Sequence, residues 1–314
     1  MKRVLVVTFS QTGQLADIVG RVVGPLRAGG HAVHVETLRP RTPFPFPWPV
    51  VDFVDVFPEC VQLDPPPLQP VSLNGDEDFD LVVLAYQVWY LSPALPMTAF
   101  LQSPAGQMLL RGRPVVTLVA CRNMWLSAQQ TMSRLIAAAG GRLVDHVALV
   151  DQGPALATFI TTPRWVLTGR RDGFLGLPPA GVAAAEIARA DRFGKALAEA
   201  LDADAEQSGQ PMLAGLGAVA VNPRLALSER AGLRAFRLWS RLIRAFGRRG
   251  QRRRWPMLAL FAVYLILMVL TVVPLSLLLQ TLLAPLLARR LARLKAEHEQ
   301  PSGCGCERMN RYVS

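Results

Sequence analysis

The sequence predicts an α/β fold with a doubly wound, five-stranded parallel sheet, followed by an amphipathic helix and a hydrophobic membrane segment. Apolar strand patterns alternate with helical patterns over residues 1–206, and residues 257–288 contain no charged side chain. Residues 1–206 carry 17 Lys and Arg against 19 Asp and Glu, a net charge of −2, whereas residues 207–314 carry 17 against 4, a net charge of +13. A near-neutral globular domain is therefore expected to precede a strongly basic C-terminal part.

The five strands are predicted from short apolar runs rich in β-branched residues, which are typical of strands buried on both faces. These runs lie at 3–9, 32–38, 80–86, 114–120 and 142–150. Helical spacing of apolar residues predicts helices at 14–28, 93–102, 127–139 and 180–205, the third beginning with a capping box formed by Ser127 and Gln130. Five strands linked in this way fit the flavodoxin-like order 2-1-3-4-5 better than the six-stranded dinucleotide-binding order.

The connection between the second and third strands departs from this scheme. Residues 40–70 contain ten prolines, which make a regular helix improbable across most of the stretch. Two interpretations stay open: a surface excursion of polyproline character, or a lid over a functional site in which Phe44, Phe46 and Trp48 supply apolar contacts.

The first strand runs directly into Ser-Gln-Thr-Gly-Gln-Leu at 10–15, at the entrance to the first helix. Backbone N–H groups at a helix N-terminus bind anions, two hydroxyl side chains add donors, and the glycine permits close approach. The GxxxxGK[ST] and GxGxxG patterns are both missing. The stretch resembles the phosphate loop of flavodoxins, with the pattern Ser/Thr-x-Thr-Gly-x-Thr, and departs from it at the last position. The resemblance implies that FMN phosphate is held by Ser10, Gln11, Thr12, Gly13, Gln14 and Leu15. A helix entrance without a ligand is the alternative.

Two further loops follow the third and fourth strands. The stretch YQVWYLSPALPMTAFL at 86–101 is similar to the flavin loop of NAD(P)H:quinone oxidoreductase-like flavodoxin relatives, and CRNMW at 121–125 occupies the place of the loop that borders the pyrimidine edge of the flavin. The resemblance implies flavin contacts from Gln87, Val88, Trp89, Tyr90, Leu91, Cys121, Arg122 and Asn123. Tyr90 and Arg122 are the catalytic candidates. Core packing of the two aromatic residues and a solvated arginine are the alternatives.

The C-terminal part is predicted to have three segments. Residues 207–255 contain a basic amphipathic helix, because arginines between 230 and 248 recur every three or four residues and fall within an arc of about 80°. This helix either lies on anionic lipid or packs on the domain, and nucleic-acid binding is the weaker interpretation because a membrane segment adjoins it. Residues 256–288 form that segment, which is either a hairpin bent near Pro274 or a single tilted span. Residues 289–314 are expected to be a flexible basic tail.

The four cysteines, Cys60, Cys121, Cys304 and Cys306, do not form a disulfide framework. Cys304-Gly-Cys306 cannot complete a zinc site by itself, and the histidines lie elsewhere in the sequence, so no metal is expected.

The whole arrangement resembles the bacterial dialkylresorcinol-condensing enzymes, flavodoxin-like proteins with a loop of the SQTGQL type and an Arg-rich, hydrophobic C-terminal extension. The resemblance implies a lipid-like substrate and a possible ketosynthase or acyl-carrier partner. The heavier arginine cluster before the membrane segment predicts a place at the inner membrane with the FMN domain in the cytoplasm. A condensing enzyme needs a Cys–His pair, and no histidine is placed to serve Cys121. A flavin suits a different step, the loss of two hydrogens that turns a dialkylcyclohexanedione into a dialkylresorcinol. The alternatives are a membrane-associated NAD(P)H:quinone reductase and a tethered flavodoxin-type electron carrier.

Overall fold

The structure is a computed structural model that describes residues 1–272, 274–276 and 282–312. Its centre is a sheet of five parallel strands in the order β2-β1-β3-β5-β6. A two-residue strand, β4, pairs antiparallel with β3 outside this order. The predicted order 2-1-3-4-5 of the parallel strands is therefore confirmed, and the fold is flavodoxin-like. The strands are β1 Arg3–Thr8, β2 Ala32–Thr37, β3 Leu81–Trp89, β4 Ser92–Pro93, β5 Pro114–Cys121 and β6 Arg142–Val150.

Helices cover both faces of the sheet and continue into the C-terminal part. They are α1 Gln14–Ala28, α2 Val50–Asp55, α3 Phe57–Gln62, α4 Leu95–Gln102, α5 Pro104–Leu110, α6 Leu126–Ala138, α7 Ala155–Thr168, α8 Ala184–Ala188, α9 Asp191–Asp202, α10 Pro223–Ala245, α11 Trp255–Leu267, α12 Ala284–Glu299 and α13 Met309–Tyr312. Two 3₁₀ turns lie at Ala205–Gln207 and Arg252–Arg254, and a π-helical turn lies at Met268–Val272.

The sheet is buried on both faces, which explains why its strands are apolar without alternation. Val4, Leu5, Val6 and Val7 of β1 are all shielded from solvent. The apolar stripe of α1 packs on one face, together with α9, which lies beside it. This rigid layer holds the loops at the carboxyl ends of the strands in fixed positions.

Several helices differ from the prediction. The expected helix at 180–205 is two helices, α8 and α9, and the helices α5 and α7 were not predicted. The Pro-rich segment 40–70 contains the short helices α2 and α3, of 6 residues each, while most of it is not helical, as expected. Proline is tolerated because α2 begins directly after Pro49 and Pro58 lies in the first turn of α3, where no intrahelical N–H bond is lost.

The basic amphipathic helix is α10, and it packs on the domain through a narrow stripe. Its buried residues are Leu225, Ala226, Glu229, Ser240 and Ile243. It lies against α3, α6, α11 and α12. A second stripe, formed by Leu238, Leu242 and Phe246, stays exposed beside the arginines. One stripe of α10 therefore packs on the domain, whereas the other stripe remains exposed to a different partner or to solvent.

The C-terminal tail is built into the domain, so the expectation of a flexible tail at 289–314 is wrong as far as residue 312. Ser302 Oγ donates to Asp145 Oδ1 (2.7 Å) and accepts from the backbone N–H of His146 (2.7 Å). The Tyr312 hydroxyl donates to Glu199 Oε2 (2.7 Å). The backbone around Ala218 is hydrogen-bonded to the edge strand β6 on one side and to the tail on the other. The exposed edge of the sheet is therefore covered, and the tail is held in place. Residues 313–314 lie outside the described residues.

Within the described part of the chain, one helical stretch, Arg252–Ser276, has the length and the apolar composition of a membrane-crossing helix. Only 12% of the most apolar 18 residues of this stretch is buried against the rest of the protein. Pro274 is helical. Residues 273 and 277–281 of the predicted membrane segment lie outside the described residues.

Candidate functional site

The three loops singled out in the sequence meet at the carboxyl edge of the sheet. In the parallel registers Thr8 of β1 lies opposite Ala85 of β3, and Gln87 of β3 lies opposite Ala120 of β5. The backbone N–H of Gln11 donates to Gln87 Oε1 (3.1 Å), which joins the first loop to the second. The structure therefore brings together residues 10–13, 87–91 and 121–125, at the place where doubly wound sheets bind their ligands.

The first loop has the features of an anion site. Gly13 precedes α1 with a φ of 86°, a conformation that favours glycine, and no side chain caps the N-terminus of the helix. Ser10 Oγ is shielded from solvent and has no hydrogen-bond partner among the described residues. An unpartnered buried hydroxyl beside uncapped helical N–H groups is costly unless a ligand accepts from them. Ser10, Thr12 and Gly13 therefore fit a phosphate.

The other members of the loop stabilise its shape. The Gln14 side chain accepts from the backbone N–H of Val182 (3.0 Å) and donates to its carbonyl (3.2 Å). Leu15 belongs to the core. The Gln11 amide donates to the carbonyl of Pro45 (2.8 Å) and so ties the loop to the Pro-rich segment. Of the six residues assigned to phosphate, Gln11, Gln14 and Leu15 thus turn their side chains to structural partners.

Trp89 lies in an aromatic cluster that closes the carboxyl end of β3. Its ring makes edge contacts with Phe9, Phe44 and Trp48, at centroid distances of 5.8, 5.0 and 5.5 Å. Trp48 is only 3% exposed, whereas Phe46 remains exposed. The Pro-rich segment therefore covers the end of this strand, which is the placement expected of a lid and not of a free surface excursion.

Tyr90 is turned away from this cluster. Its hydroxyl donates to the carbonyl of Phe53 (2.5 Å), and its ring packs on Phe53 and Phe57. Burial raises the pKa of Tyr90 well above its ordinary value, so the hydroxyl holds its proton at neutral pH. The geometry therefore argues against the predicted catalytic role of Tyr90 and gives it a packing role under the lid.

Arg122 is half-buried, and among the described residues it forms no direct ion pair with a carboxylate, although Asp151 lies near enough to act on its pKa. Its guanidinium stacks on the ring of Phe159 (3.8 Å to the centroid), and one N–H approaches Met124 Sδ (3.5 Å). Burial lowers its pKa to about 10, while Cys121 and Asp151 act in the opposite direction, so Arg122 is a cation at neutral pH. A half-buried cation without a carboxylate leaves room for an anionic or polar ligand.

Neighbouring groups complete this loop. Asn123 Oδ1 is shielded from solvent and has no partner among the described residues. Burial raises the pKa of the Cys121 thiol, so the thiol is not poised to act as a nucleophile. Val88 pairs with Pro93 of β4, and Leu91 has a φ of 62° in the turn between the strands.

Sequence reasoning missed Glu229 of α10. This carboxylate is fully buried and accepts from the backbone N–H groups of Leu126 (3.3 Å) and Ser127 (2.5 Å), the first residues of α6. The predicted capping box is therefore wrong: α6 begins after Trp125 without a cap from its own side chains. Burial raises the pKa of Glu229 to about 6. No local signal marks this contact, because the partners are about a hundred residues apart.

Residues 151–183 were also missed, and they cover the first loop. Asp151 accepts from the backbone N–H groups of Gly153 (2.8 Å) and Gly181 (2.7 Å). A cavity of about 600 Å³ opens beside them, lined by residues 151–154, 171–172 and 178–184. The helical run before Gly169, which ends α7 with a φ of 74°, is the signal that could have located α7.

Comparison with known proteins finds distant structural likenesses only. No protein-family model matches the chain, and no curated protein is a significant sequence match. A flavoprotein in complex with FMN from Lactobacillus acidophilus NCFM is 13% identical, with a TM-score of 0.39, over 47% of this chain and 93% of that one. A flavodoxin from the domain Archaea is 11% identical, with a TM-score of 0.37, and the likeness covers 64% of this chain and 99% of that one. A WrbA-like flavodoxin from Agrobacterium tumefaciens is 8% identical, with a TM-score of 0.38, and the likeness covers 65% of this chain and 99% of that one.

Proposed function

We propose that the chain is an FMN-dependent oxidoreductase acting on a lipid-like substrate at a membrane, and that its reaction is the aromatising oxidation of a dialkylcyclohexanedione to a dialkylresorcinol. One juxtaposition carries the FMN assignment. The uncapped N-terminus of α1, the unpartnered Ser10 hydroxyl and the unpaired Arg122 cation lie at the same edge of the sheet.

The chain's own residues divide between the two ends of the cofactor. Ser10, Thr12 and the backbone N–H groups of the first loop would hold the phosphate, through charge-assisted hydrogen bonds and the dipole of α1. Trp89 and Arg122 would lie near the ring. When bound there, FMN supplies a two-electron acceptor.

The proposed reaction removes two electrons and two protons from the dione ring, and the ring becomes aromatic as its carbonyls enolise. The aromatic cluster of Phe9, Phe44, Trp48 and Trp89 would keep water away and hold the substrate ring flat. Arg122 would stabilise negative charge that develops at the edge of the site. Tyr90 takes no part, because its hydroxyl is committed to Phe53.

The membrane part of the proposal is supported by the exposed surface. Leu238, Leu242 and Phe246 form an exposed stripe on α10 beside a row of arginines, and α11 exposes further large apolar side chains. Such a surface suits anionic lipid at the cytoplasmic face of an inner membrane. A dialkylated dione dissolves in that lipid, so the enzyme would meet its substrate there. A ketosynthase or an acyl carrier would supply the substrate.

A membrane-associated NAD(P)H:quinone reductase is the second candidate, because an aromatic cluster that accepts a flat dione ring also accepts a quinone. The near-neutral charge of residues 1–206 speaks against a tethered electron carrier, since carrier flavodoxins usually present a strongly acidic face.

The cofactor assignment is tested by flavin content. Loss of a hydrogen bond to a charged group costs about 1.5–3 kcal/mol, so Ser10→Ala combined with Thr12→Ala should weaken FMN retention by well over tenfold. Ser133→Ala combined with Thr168→Ala is the matched control, because these hydroxyls donate only to carbonyls of their own helices. Equal flavin absorbance in the two purified double variants would overturn the phosphate assignment.

The reaction is tested by anaerobic mixing with a 2,5-dialkylcyclohexane-1,3-dione. The flavin of the wild type should bleach, and the resorcinol should be detected by mass spectrometry. Trp89→Ala should slow this bleaching far more than it lowers flavin content. If the dione leaves the flavin oxidised while NAD(P)H bleaches it and a quinone reoxidises it, the quinone reductase takes the place of the aromatising enzyme.

A further inference from the structure

The stretch Arg252–Ser276 exposes an unusual amount of apolar surface. Of the large side chains on α11, Leu258 and Phe261 face the protein and are buried. Along the whole stretch, the large apolar side chains that stay exposed are Trp255, Leu260, Val263, Ile266, Leu267, Leu270, Val272 and Leu275. Soluble monomers rarely expose a continuous apolar surface of this kind, which indicates a partner that covers it.

The front end of this stretch is clamped to the domain. The Arg254 side chain is completely buried and binds both carboxylate oxygens of Glu59 in α3, at 3.1 and 3.2 Å. The backbone N–H of Gly250 donates to Asp55 Oδ2 (2.7 Å), and the Phe261 ring stacks on Phe57 at 3.9 Å. The helix therefore begins inside the globular part and does not hang from a linker.

The same stretch then runs along α10. Near its start, Trp239 of α10 contacts Phe261 and Tyr264, at centroid distances of 5.8 and 5.1 Å. Near its end, Ser276 Oγ lies 3.4 Å from Ser228 Oγ, close to the N-terminus of α10. The two helices are therefore antiparallel neighbours, and Arg252–Ser276 lies flat on the domain.

The rear end of the apolar segment also returns to the domain. Leu291 and Leu294 of α12 are buried, and α12 lies against α10. The backbone N–H of Gly217 donates to the carbonyl of Gly305 (2.6 Å), and that of Arg308 donates to the carbonyl of Gly215 (2.8 Å). Residues on both sides of the apolar run are therefore hydrogen-bonded to the same globular unit.

We infer that the apolar segment is a monotopic insertion, which lies in the plane of one leaflet and leaves the membrane on the side where it enters. A single span would carry residues 299–312 across a hydrocarbon core of about 30 Å, away from the partners to which they are bonded. An in-plane helix instead keeps every one of these contacts and places its exposed face in the acyl chains.

The arginines of α10 identify the occupant as an anionic bilayer. Arg234, Arg237 and Arg241 are exposed on the face of α10 next to the exposed stripe of Leu238, Leu242 and Phe246. Cations beside an apolar stripe match lipid head groups above acyl chains. A second copy of this chain would bring the two rows of arginines close together, which is unfavourable.

The native cysteines test the topology. The full-length protein is bound to preformed, sealed vesicles of phosphatidylcholine and phosphatidylglycerol, so that the domain lies outside. Cys304 and Cys306 are exposed and follow the apolar segment, whereas Cys60 is buried and Cys121 is half-buried. A membrane-impermeant maleimide should label the C-terminal pair without detergent, and the Cys304→Ser/Cys306→Ser variant should lose this label. Labelling that requires detergent would establish a single span and overturn the inference.

Contact with lipid is tested in that cysteine-depleted variant. An environment-sensitive fluorophore is attached at Val263→Cys, which is 54% exposed on α11, or at Ser208→Cys, which is exposed on the domain. Fluorescence at 263 should rise on vesicle binding and be quenched by lipids brominated high on the acyl chain, and fluorescence at 208 should not change. Unquenched fluorescence at 263, with a doubled mass by light scattering, would assign the face to a second copy. Neither readout depends on FMN, so this inference and the proposed function fail separately.

Discussion

The buried ion pair between Arg254 and Glu59 is the contact that joins the apolar helix to the lid. Arg254 has no solvent exposure, and among the described residues its charged partners are Glu59 and Asp55. Breaking a buried pair by removing one partner leaves a buried charge uncompensated, which costs about 3–5 kcal/mol. Arg254→Met should therefore lower the free energy of unfolding by about this amount.

A double-mutant cycle separates the pair from general packing. Glu59→Leu alone should also be strongly destabilising, because it leaves the arginine buried beside Asp55 alone. The double variant should be more stable than the sum of the single effects predicts, since two apolar side chains replace a pair whose desolvation was costly. Arg253→Met is the control, because Arg253 is exposed and surface changes usually stay within about 0.5 kcal/mol.

The assay is denaturant unfolding of the full chain in detergent, followed by tryptophan fluorescence, since Trp48 belongs to the lid and Trp89 packs beneath it. Limited proteolysis of residues 40–70 adds a local readout, and the single variants should be cut faster there than the control. If the two single effects simply add, or if Arg254→Met behaves like Arg253→Met, the clamp is not energetically significant and the reasoning is refuted.

Three further predictions concern the site. Burial raises the pKa of Glu229 from 4.5 to about 6, so its contribution to stability is full below pH 4.5 and is lost as the pH rises through about 6. Glu229→Gln does not titrate, so its free energy of unfolding should gain about 1 kcal/mol on that of the wild type between pH 4.5 and pH 6, measured by denaturant midpoints at both pH values. Tyr90→Phe removes one hydrogen bond to the Phe53 carbonyl and should lower the free energy of unfolding by about 1 kcal/mol. The rate of dione turnover should not change, and a large loss of turnover would restore the catalytic role of Tyr90. Arg122→Met should lower the reduction potential of the bound flavin, because a cation near the ring is lost. The potential is measured by equilibration with a redox dye, and an unchanged value would show that Arg122 does not lie near the ring.

The parallel sheet and the three loops could be predicted from local patterns. Each strand is a short apolar run, and each loop follows a strand directly, so parallel pairing alone brings the loops to the same edge. The same local logic missed the short helices α2 and α3, which fit between proline positions that a helix tolerates, although most of 40–70 is not helical, as predicted. It also failed at α6, whose first N–H groups are capped by Glu229 and not by Ser127.

The sequence by itself determined the individual strands of the sheet, the glycine turn before α1 and the apolar composition of Arg252–Ser276, because these depend on residues that are neighbours in the chain. Only the tertiary structure decided which way Tyr90 turns, where the C-terminal tail goes and how the apolar helix lies along α10. Those outcomes depend on buried partners far apart in sequence, such as Ser302 with Asp145 and Arg254 with Glu59. A polar group that is buried must find such a partner, and which partner lies within reach is a property of the folded chain.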